Sequence, residues 1–372
     1  TFFKDLDTIM KQISETVGLK STPGQSDPGT LNTLADARRV ILLTGFPVRL
    51  SDGSFVGETD GLGTADIAAA LTALGASVLV ITDEPAFSIV SDVVCYRAPK
   101  AKLMMLPKAD TGDFIRNCIK TFAPTHLISL ERPGKAAKAY HSMRGEVLDD
   151  MITDSALFLS EAKKSGATTI SIGDGGNEMG MGTYRDVIEH FVPFGGTICT
   201  AESADITLAS GVSNWWGIGI AALCSLFAEK NLLPTREEET ESLRLAVAAG
   251  SVDGCTKKNE MTVDRLDLET HLGILDSVND ILKKELDNVQ LHKVISISHS
   301  AAPASRQYTR LATLAQPISA LAWVRIRVAD FWGMVSVLVR RRMRWRNRPR
   351  IPSIRATQAS TYPLANPPHI SY

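Results

Sequence analysis

The strongest constraint on this chain is a repeated grammar. Short, continuously apolar runs of β-forming residues each end in a glycine or an acid, and helical patterns lie between several of them. Val40–Thr44 ends in Gly45, Ser77–Thr82 in Asp83, His126–Leu130 in Glu131, and Thr168–Ile172 in Gly173 and Asp174. Thr197–Thr200, followed by Glu202, and Ile206–Ala209, ending in Ser210 and Gly211, read as two further runs. Between them, the stripe Ile67, Ala68, Leu71, Leu74 closes at Gly75, and Ser155–Ser165 closes at Gly166. Glycine just past the last turn is a common helix stop. Apolar strands alternating with helices predict an α/β fold, a doubly wound, mostly parallel sheet with helices on both faces.

The rest of the chain falls into three parts. Residues 1–30 read as an N-terminal helix (Phe3, Leu6, Ile9, Ile13, Val17) and a Ser/Pro/Gly-rich linker at Ser21–Thr30. Residues 31–294 hold the repeated pattern as a single catalytic domain, turning helical and highly charged from Pro234 to about Val289. Residues 295–372 depart from it: they carry 12 Arg, no Lys and one acid, Asp330, whereas residues 1–294 carry 28 Lys and Arg against 40 Asp and Glu. The overall net charge of −1 therefore averages an acidic body with a basic terminus. The arginine run from Arg340 to Arg350 is a pattern of nucleic-acid or anionic-membrane patches. The tail lacks the alternation of the body and all lysine, so it reads instead as a disordered or non-native terminus, and no nucleic-acid partner is expected.

Five cysteines without a CxxC pair give neither a disulfide framework nor a zinc site, so a reducing compartment is expected. The chain begins at Thr1 without a signal-peptide pattern, as expected of a fragment or processed product. Trp215–Ala228 is too short to span a bilayer, and Arg325, Arg327 and Asp330 interrupt the apolar stretch 316–339. No membrane association is expected.

In an open parallel sheet, ligands bind outside the carboxyl ends of the strands. Asp83, Glu131, Asp174 and Glu202 would line that edge, a crevice suited to a divalent cation or a substrate ammonium. The plain alternative is that each acid caps the helix after its strand. The sharpest segment is Gly173-Asp174-Gly175-Gly176-Asn177-Glu178-Met179-Gly180-Met181-Gly182, glycine-rich enough for backbone to approach a ligand. It fits neither the dinucleotide fingerprint nor the P-loop, so no nucleotide cofactor is expected. Asp174, Asn177 and Glu178 are its candidate catalytic residues, with Gly175 and Gly176 contacting substrate. In Glu58–Thr64, Thr64 is a candidate N-cap, and Asp60 and the Gly61 and Gly63 amides are candidate substrate contacts. Arg132 and Arg144 can grip carboxylates, or else pair with the acidic edge as structural ions. Ser213 and Asn214 can aim polar groups into the crevice.

Four segments in order, ETDGLGTADIAAALTALGASVLVITDE, ISLERPG with YHSMRGE, SIGDGGNEMGMG and ADITLASGVSNWWGIGIAAL, resemble the D-glutamate cyclase family across roughly residues 38–260. Residues 295–372 resemble nothing in it. The resemblance implies cyclisation of D-glutamate to 5-oxo-D-proline with loss of water, as in a mitochondrial-matrix lyase. Asp174 or Glu178 would act as base and acid. Arg132 or Arg144 and the Gly61–Thr64 amides would anchor a carboxylate. Asp174 and Glu131 would alternatively hold Mg²⁺ or Mn²⁺. A homo-oligomer is compatible with it, as is the rival reading, a non-catalytic small amino-acid or nucleotide-binding regulatory module.

Overall fold

In a computed structural model, residues 2–10 and 28–300 of the chain are described. The continuation of the N-terminal helical pattern, the first part of the linker and the arginine-rich run lie outside the described residues. The linker's last residues already belong to a 3₁₀ turn, Pro28–Asp36.

Helix α1 (Phe2–Met10) precedes β1 (Arg39–Leu43), which leads into a hairpin of β2 (Pro47–Arg49) and β3 (Phe55–Gly57). Then follow α2 (Gly63–Ala73), β4 (Ser77–Thr82), α3 (Glu84–Arg97), β5 (Lys102–Met105), α4 (Thr111–Phe122) and β6 (His126–Leu130). A long loop reaches α5 (Leu157–Lys164) and β7 (Thr168–Gly173). Short helices α6 (Arg185–Phe191) and α7 (Gly195–Ile198) precede β8 (Ile206–Ala209) and α8 (Trp215–Ala228). The described chain closes with α9 (Arg236–Ala248), a hairpin of β9 (Thr262–Val263) and β10 (Leu266–Asp267), and α10 (Leu268–Ser300), which continues past residue 294.

Six strands form one fully parallel sheet in the order β5-β4-β1-β6-β7-β8. This is the doubly wound arrangement expected from the sequence. The order reverses between β1 and β6, and the crevice at such a switch point is where open α/β sheets bind ligands. On one face Ile41, Leu43, Leu79, Ile81 and Leu127 pack with Ile115, Ile119, Phe158 and Leu159 from α4 and α5. On the other, α2 lies against α8. That contact is glycine on glycine: a Cβ on Gly217 would overlap the backbone of Gly63. Their close approach brings the two helix N-termini together at the sheet's carboxyl edge.

One expected strand is absent. Thr197–Thr200 forms the end of α7 and a loop, and β8 pairs directly with β7. Gly195 sits against the backbone of Ile188 where no side chain would fit, and this closes a helical turn instead of a strand. Glu202 therefore follows no strand. It lies half-buried near Lys163, away from the crevice.

Candidate active site

A cavity of about 240 Å³ opens outside the carboxyl ends of β6 and β7. It is smaller than the roughly 300–1,000 Å³ typical of drug-sized ligands, which suits a metabolite of amino-acid size. Its acidic lining is Glu58, Glu131, Asp174, Glu178, Asp264 and the exposed Glu146, and its cationic lining is Arg49, Arg144, Lys257 and Arg265.

Asp174 follows β7 and meets the N-terminus of α8. Its Oδ2 accepts the Ser213 amide (2.9 Å) and hydroxyl (3.3 Å). Glu178 folds back on its own loop: Oε1 accepts the amides of Asp174 (3.1 Å) and Gly175 (2.7 Å), and Oε2 that of Gly176 (2.7 Å). Gly173 must be glycine, because a Cβ there would meet the Glu178 carboxylate at 2.6 Å. Glu178 is thus the organiser of the glycine-rich turn. Asn177 lines the cavity and donates from Nδ2 to the His141 carbonyl (2.8 Å). Glu131, the residue after β6, adopts the left-handed backbone at φ 44°. Such strain in a non-glycine residue persists only where the surroundings enforce it, and it concentrates at functional sites.

The buried acids repel one another's charge. Burial first, then Asp264, Glu131 and Glu178, holds Asp174 well above the usual carboxylate range. Glu131 is pushed up by burial, then by Glu178 and Glu58. Glu58 rises through burial and Asp264, partly offset by a hydrogen bond with Glu131. Asp264 is pushed up to about 6 by burial and Asp253, with a hydrogen bond to Asp174 opposing. Glu58 Oε1 and Glu131 Oε2 meet no donor if both groups are ionised. A retained proton or a cation satisfies them. Ligand oxygens of Glu131, Asp174 and Glu178 lie within 4.8 Å of one another, as do those of Asp60, Asp174 and Asp264. All are hard oxygen donors, the kind Mg²⁺ and Mn²⁺ take.

Several residues named from sequence have other engagements. Arg132 is 1% exposed and pairs with Asp83 (2.9 Å). It also donates to Thr153 O (2.8 Å), Ser155 Oγ (3.1 Å) and Gly45 O (3.3 Å), so no free face remains for a substrate. Asp83 is accordingly a structural ion, and only Glu131 and Asp174 of the four expected strand-end acids reach the cavity. Thr64 does not cap α2: the helix starts at Gly63, and the buried Thr64 hydroxyl has no partner. The cap comes from another element. The Gly63 amide donates to Asn214 Oδ1, and the Asn214 amide in turn donates to Asp60 Oδ1 (2.8 Å). The Gly63 amide is therefore not free for an anion. Gly61 packs on the Thr44 hydroxyl and, like Gly63, serves close packing. Ser213 and Asn214 hold Asp174 and Asp60, and Gly175 and Gly176 present amides to Glu178. Arg144 lines the cavity.

A family model described as "D-glutamate cyclase-like, C-terminal" matches residues 9–279. The chain belongs to that family. It is also 30% identical over 282 residues to human mitochondrial D-glutamate cyclase, an alignment covering 70% of this chain and 44% of that relative. The chain thus spans less than half the length of this curated relative. Among the described residues, no helix is long and apolar enough to cross a membrane.

For this member of the D-glutamate cyclase-like family, the sequence reasoning missed Glu58, Asp264 and Arg265 as cavity residues. Glu58 ends the β2–β3 hairpin, too short to show a period. Asp264 and Arg265 form the β9–β10 turn at φ 49° and 66° without the Asn-Gly that marks such turns. Their one signal was the alternation of Thr262-Val263 and Leu266-Asp267 about a charged pair.

Proposed function

We propose that this chain is a D-glutamate cyclase, a lyase that converts D-glutamate to 5-oxo-D-proline and water. The observation that carries the reading is the polarity of an amino-acid-sized cavity: buried carboxyls with raised proton affinity on its floor, and four cations and the exposed Glu146 in the rest of its lining. The substrate ammonium sits on the acidic floor, and its carboxylates face the rim. Family membership and the mitochondrial cyclase relative support the reaction class and a mitochondrial location.

The chemistry balances within one molecule. The ammonium nitrogen loses two protons as it becomes the lactam N–H, and the departing γ-carboxyl oxygen takes up two to leave as water. A carboxylate near an ordinary acid pKa is a poor base for an ammonium, and burial makes Asp174 a better one. Held by the Ser213 amide and hydroxyl, Asp174 takes the first proton. Glu131, whose proton affinity burial raises, gives its proton to the departing oxygen and takes the second from the nitrogen. Asp174 passes the first on to the oxygen, which leaves as water with both residues restored. Asn177 and the Glu178 turn fix the floor, and a folded substrate conformer makes the attack intramolecular, which supplies much of the acceleration. With all three ionised, Glu131, Asp174 and Glu178 would alternatively hold a Mg²⁺ or Mn²⁺, which would supply polarisation of the γ-carboxylate in place of the proton from Glu131.

The test is a chiral assay of the full chain with D- and L-glutamate, following 5-oxoproline before and after chelation. D-selective formation of 5-oxoproline is expected. Binding of D-glutamate without turnover would replace the proposal with a regulatory amino-acid-binding module, and loss of turnover on chelation would establish the cation.

A further inference from the structure

A dicarboxylic substrate needs cations, and four line the cavity. Two are engaged. Arg49 Nη2 lies 2.7 and 2.8 Å from the two Asp150 oxygens, and Lys257 Nζ donates to the Arg49 carbonyl (2.9 Å). Arg132, the arginine buried deepest beside the cleft, is held by Asp83. Arg144 and Arg265 pair with no carboxylate among the described residues, and both are exposed.

Of these two, Arg265 is the more firmly held. The Asp253 carboxylate is fully buried, and its Oδ2 accepts the Arg265 amide (2.7 Å) and the Thr262 hydroxyl (2.8 Å). Its Oδ1 accepts the amides of Cys255 and Thr256, both at 2.8 Å, which ties the hairpin to the neighbouring cavity wall. Thr59 donates its hydroxyl to the Thr262 carbonyl (2.9 Å). The Trp215 indole donates to His271 Nδ1 (2.9 Å), so the neutral ring carries its proton on Nε2 and donates to the Val263 carbonyl (3.2 Å). Asp253, Thr59 and His271 thus anchor the hairpin.

That anchoring sustains two consecutive left-handed non-glycine residues, an arrangement in which Asn-Gly would fold the same hairpin with less strain. The side chains are therefore what the turn is for. Asp264 joins the acidic floor, while the adjacent Arg265 lines the rim and pairs with no carboxylate among the described residues.

We propose that Arg265 is a specificity-determining residue, whose guanidinium takes a carboxylate of a dicarboxylic amino acid at the rim while the acidic floor takes the ammonium. This rests on the reading of the cavity as an acidic amino-acid site. The planar fork of arginine suits bidentate contact with a carboxylate, which lysine reproduces only in charge.

The experiment uses the full chain and its R265A and R265K variants. Steady-state turnover of D-glutamate is measured alongside calorimetric titration with glutarate, a dicarboxylate without the amine. For R265A the expected result is a KM for D-glutamate raised about 10- to 100-fold, the size of a lost charged hydrogen bond, with kcat changed much less. Glutarate affinity should fall by a similar factor, R265K should fall between, and added guanidinium ion should partly restore R265A. Because the side chain is exposed, R265A should keep the parental melting temperature. If R265A does not fold, R265K carries the same comparison. Unchanged KM and glutarate affinity would overturn the proposal, as would a parental chain that binds no glutarate. A parental chain that binds glutarate but forms no 5-oxoproline would overturn the cyclase reading alone, and the glutarate titration would still decide Arg265.

Discussion

At the scale of residues, the cleft holds two kinds of buried charge, and they predict opposite phenotypes. Asp174 faces the cavity with its proton affinity raised, so Asp174→Asn should keep the fold and lower kcat for D-glutamate by about 10²- to 10⁴-fold, the usual contribution of a general acid or base. Normal circular dichroism with lost turnover is the expected pair of observations, and full turnover would remove Asp174 from the mechanism. Arg132 lies close in sequence to Glu131, yet it serves the fold. Arg132→Met leaves Asp83 buried and unpaired, a change that costs about 3–5 kcal/mol. Urea denaturation should show that loss, and the double variant Arg132→Met with Asp83→Leu should recover a large part of it. Sequence alone left Arg132 open between substrate anchor and structural ion. Both roles ask for a guanidinium after a strand, and only the position of Asp83 and the Thr153 and Gly45 carbonyls decides between them.

At the scale of elements, the strands that position the site were legible because each is an unbroken apolar run closed by a turn residue, as in Val40–Thr44 and His126–Leu130. Thr197–Thr200 carried the same composition and failed, because the amides of Thr197, Ile198 and Cys199 close a helical turn on Phe194 and Gly195, which packs on Ile188 of the preceding helix. The edge strand β5 escaped notice for the opposite reason: Lys102-Leu103-Met104-Met105 is largely exposed and has little β-branched character. The caps of α2 and α8 were equally hidden, since each N-terminus is capped by a residue distant in the chain, Asn214 for one and Asp60 for the other. That exchange depends on the glycine contact between the helices. Gly217→Ala should overpack it, costing about 1–3 kcal/mol, and should also lower activity, because Ser213 and Asn214 move with the start of α8. A stability loss without a change in turnover would show that the site tolerates separation of the two helices. The β9–β10 hairpin gives a second case. His271→Phe removes the acceptor of the Trp215 indole and the donor to Val263, so a loss of about 1–3 kcal/mol is expected, with raised KM if the turn loosens.

At the scale of the whole molecule, several acids lie where water is scarce. Asp60, Glu58, Glu131, Asp174 and Asp264 all have their proton affinity raised by burial first and then by neighbouring acids: Asp264 for Asp60, Glu58 and Asp174, Glu178 for Glu131, and Asp253 for Asp264. A carboxyl whose folded-state pKa is raised binds more protons folded than unfolded, so stability falls as pH rises. Its contribution is whole below the ordinary carboxylate range near 4 and, for Asp264, is lost as pH rises through about 6. The other four act in the same direction. The chelated protein should therefore melt several degrees higher at pH 5 than at pH 8, and Asp264→Asn should flatten part of that slope. Magnesium or manganese works against it, because a cation bound by the ionised carboxylates stabilises by mass action and more strongly as the protons leave. Thermal melts at both pH values, with and without excess Mg²⁺, separate the two terms. A cation-induced rise in melting temperature that is larger at pH 8 than at pH 5 is the expected outcome, and the same rise in the Asp174→Asn and Glu131→Gln double variant would place the ion elsewhere.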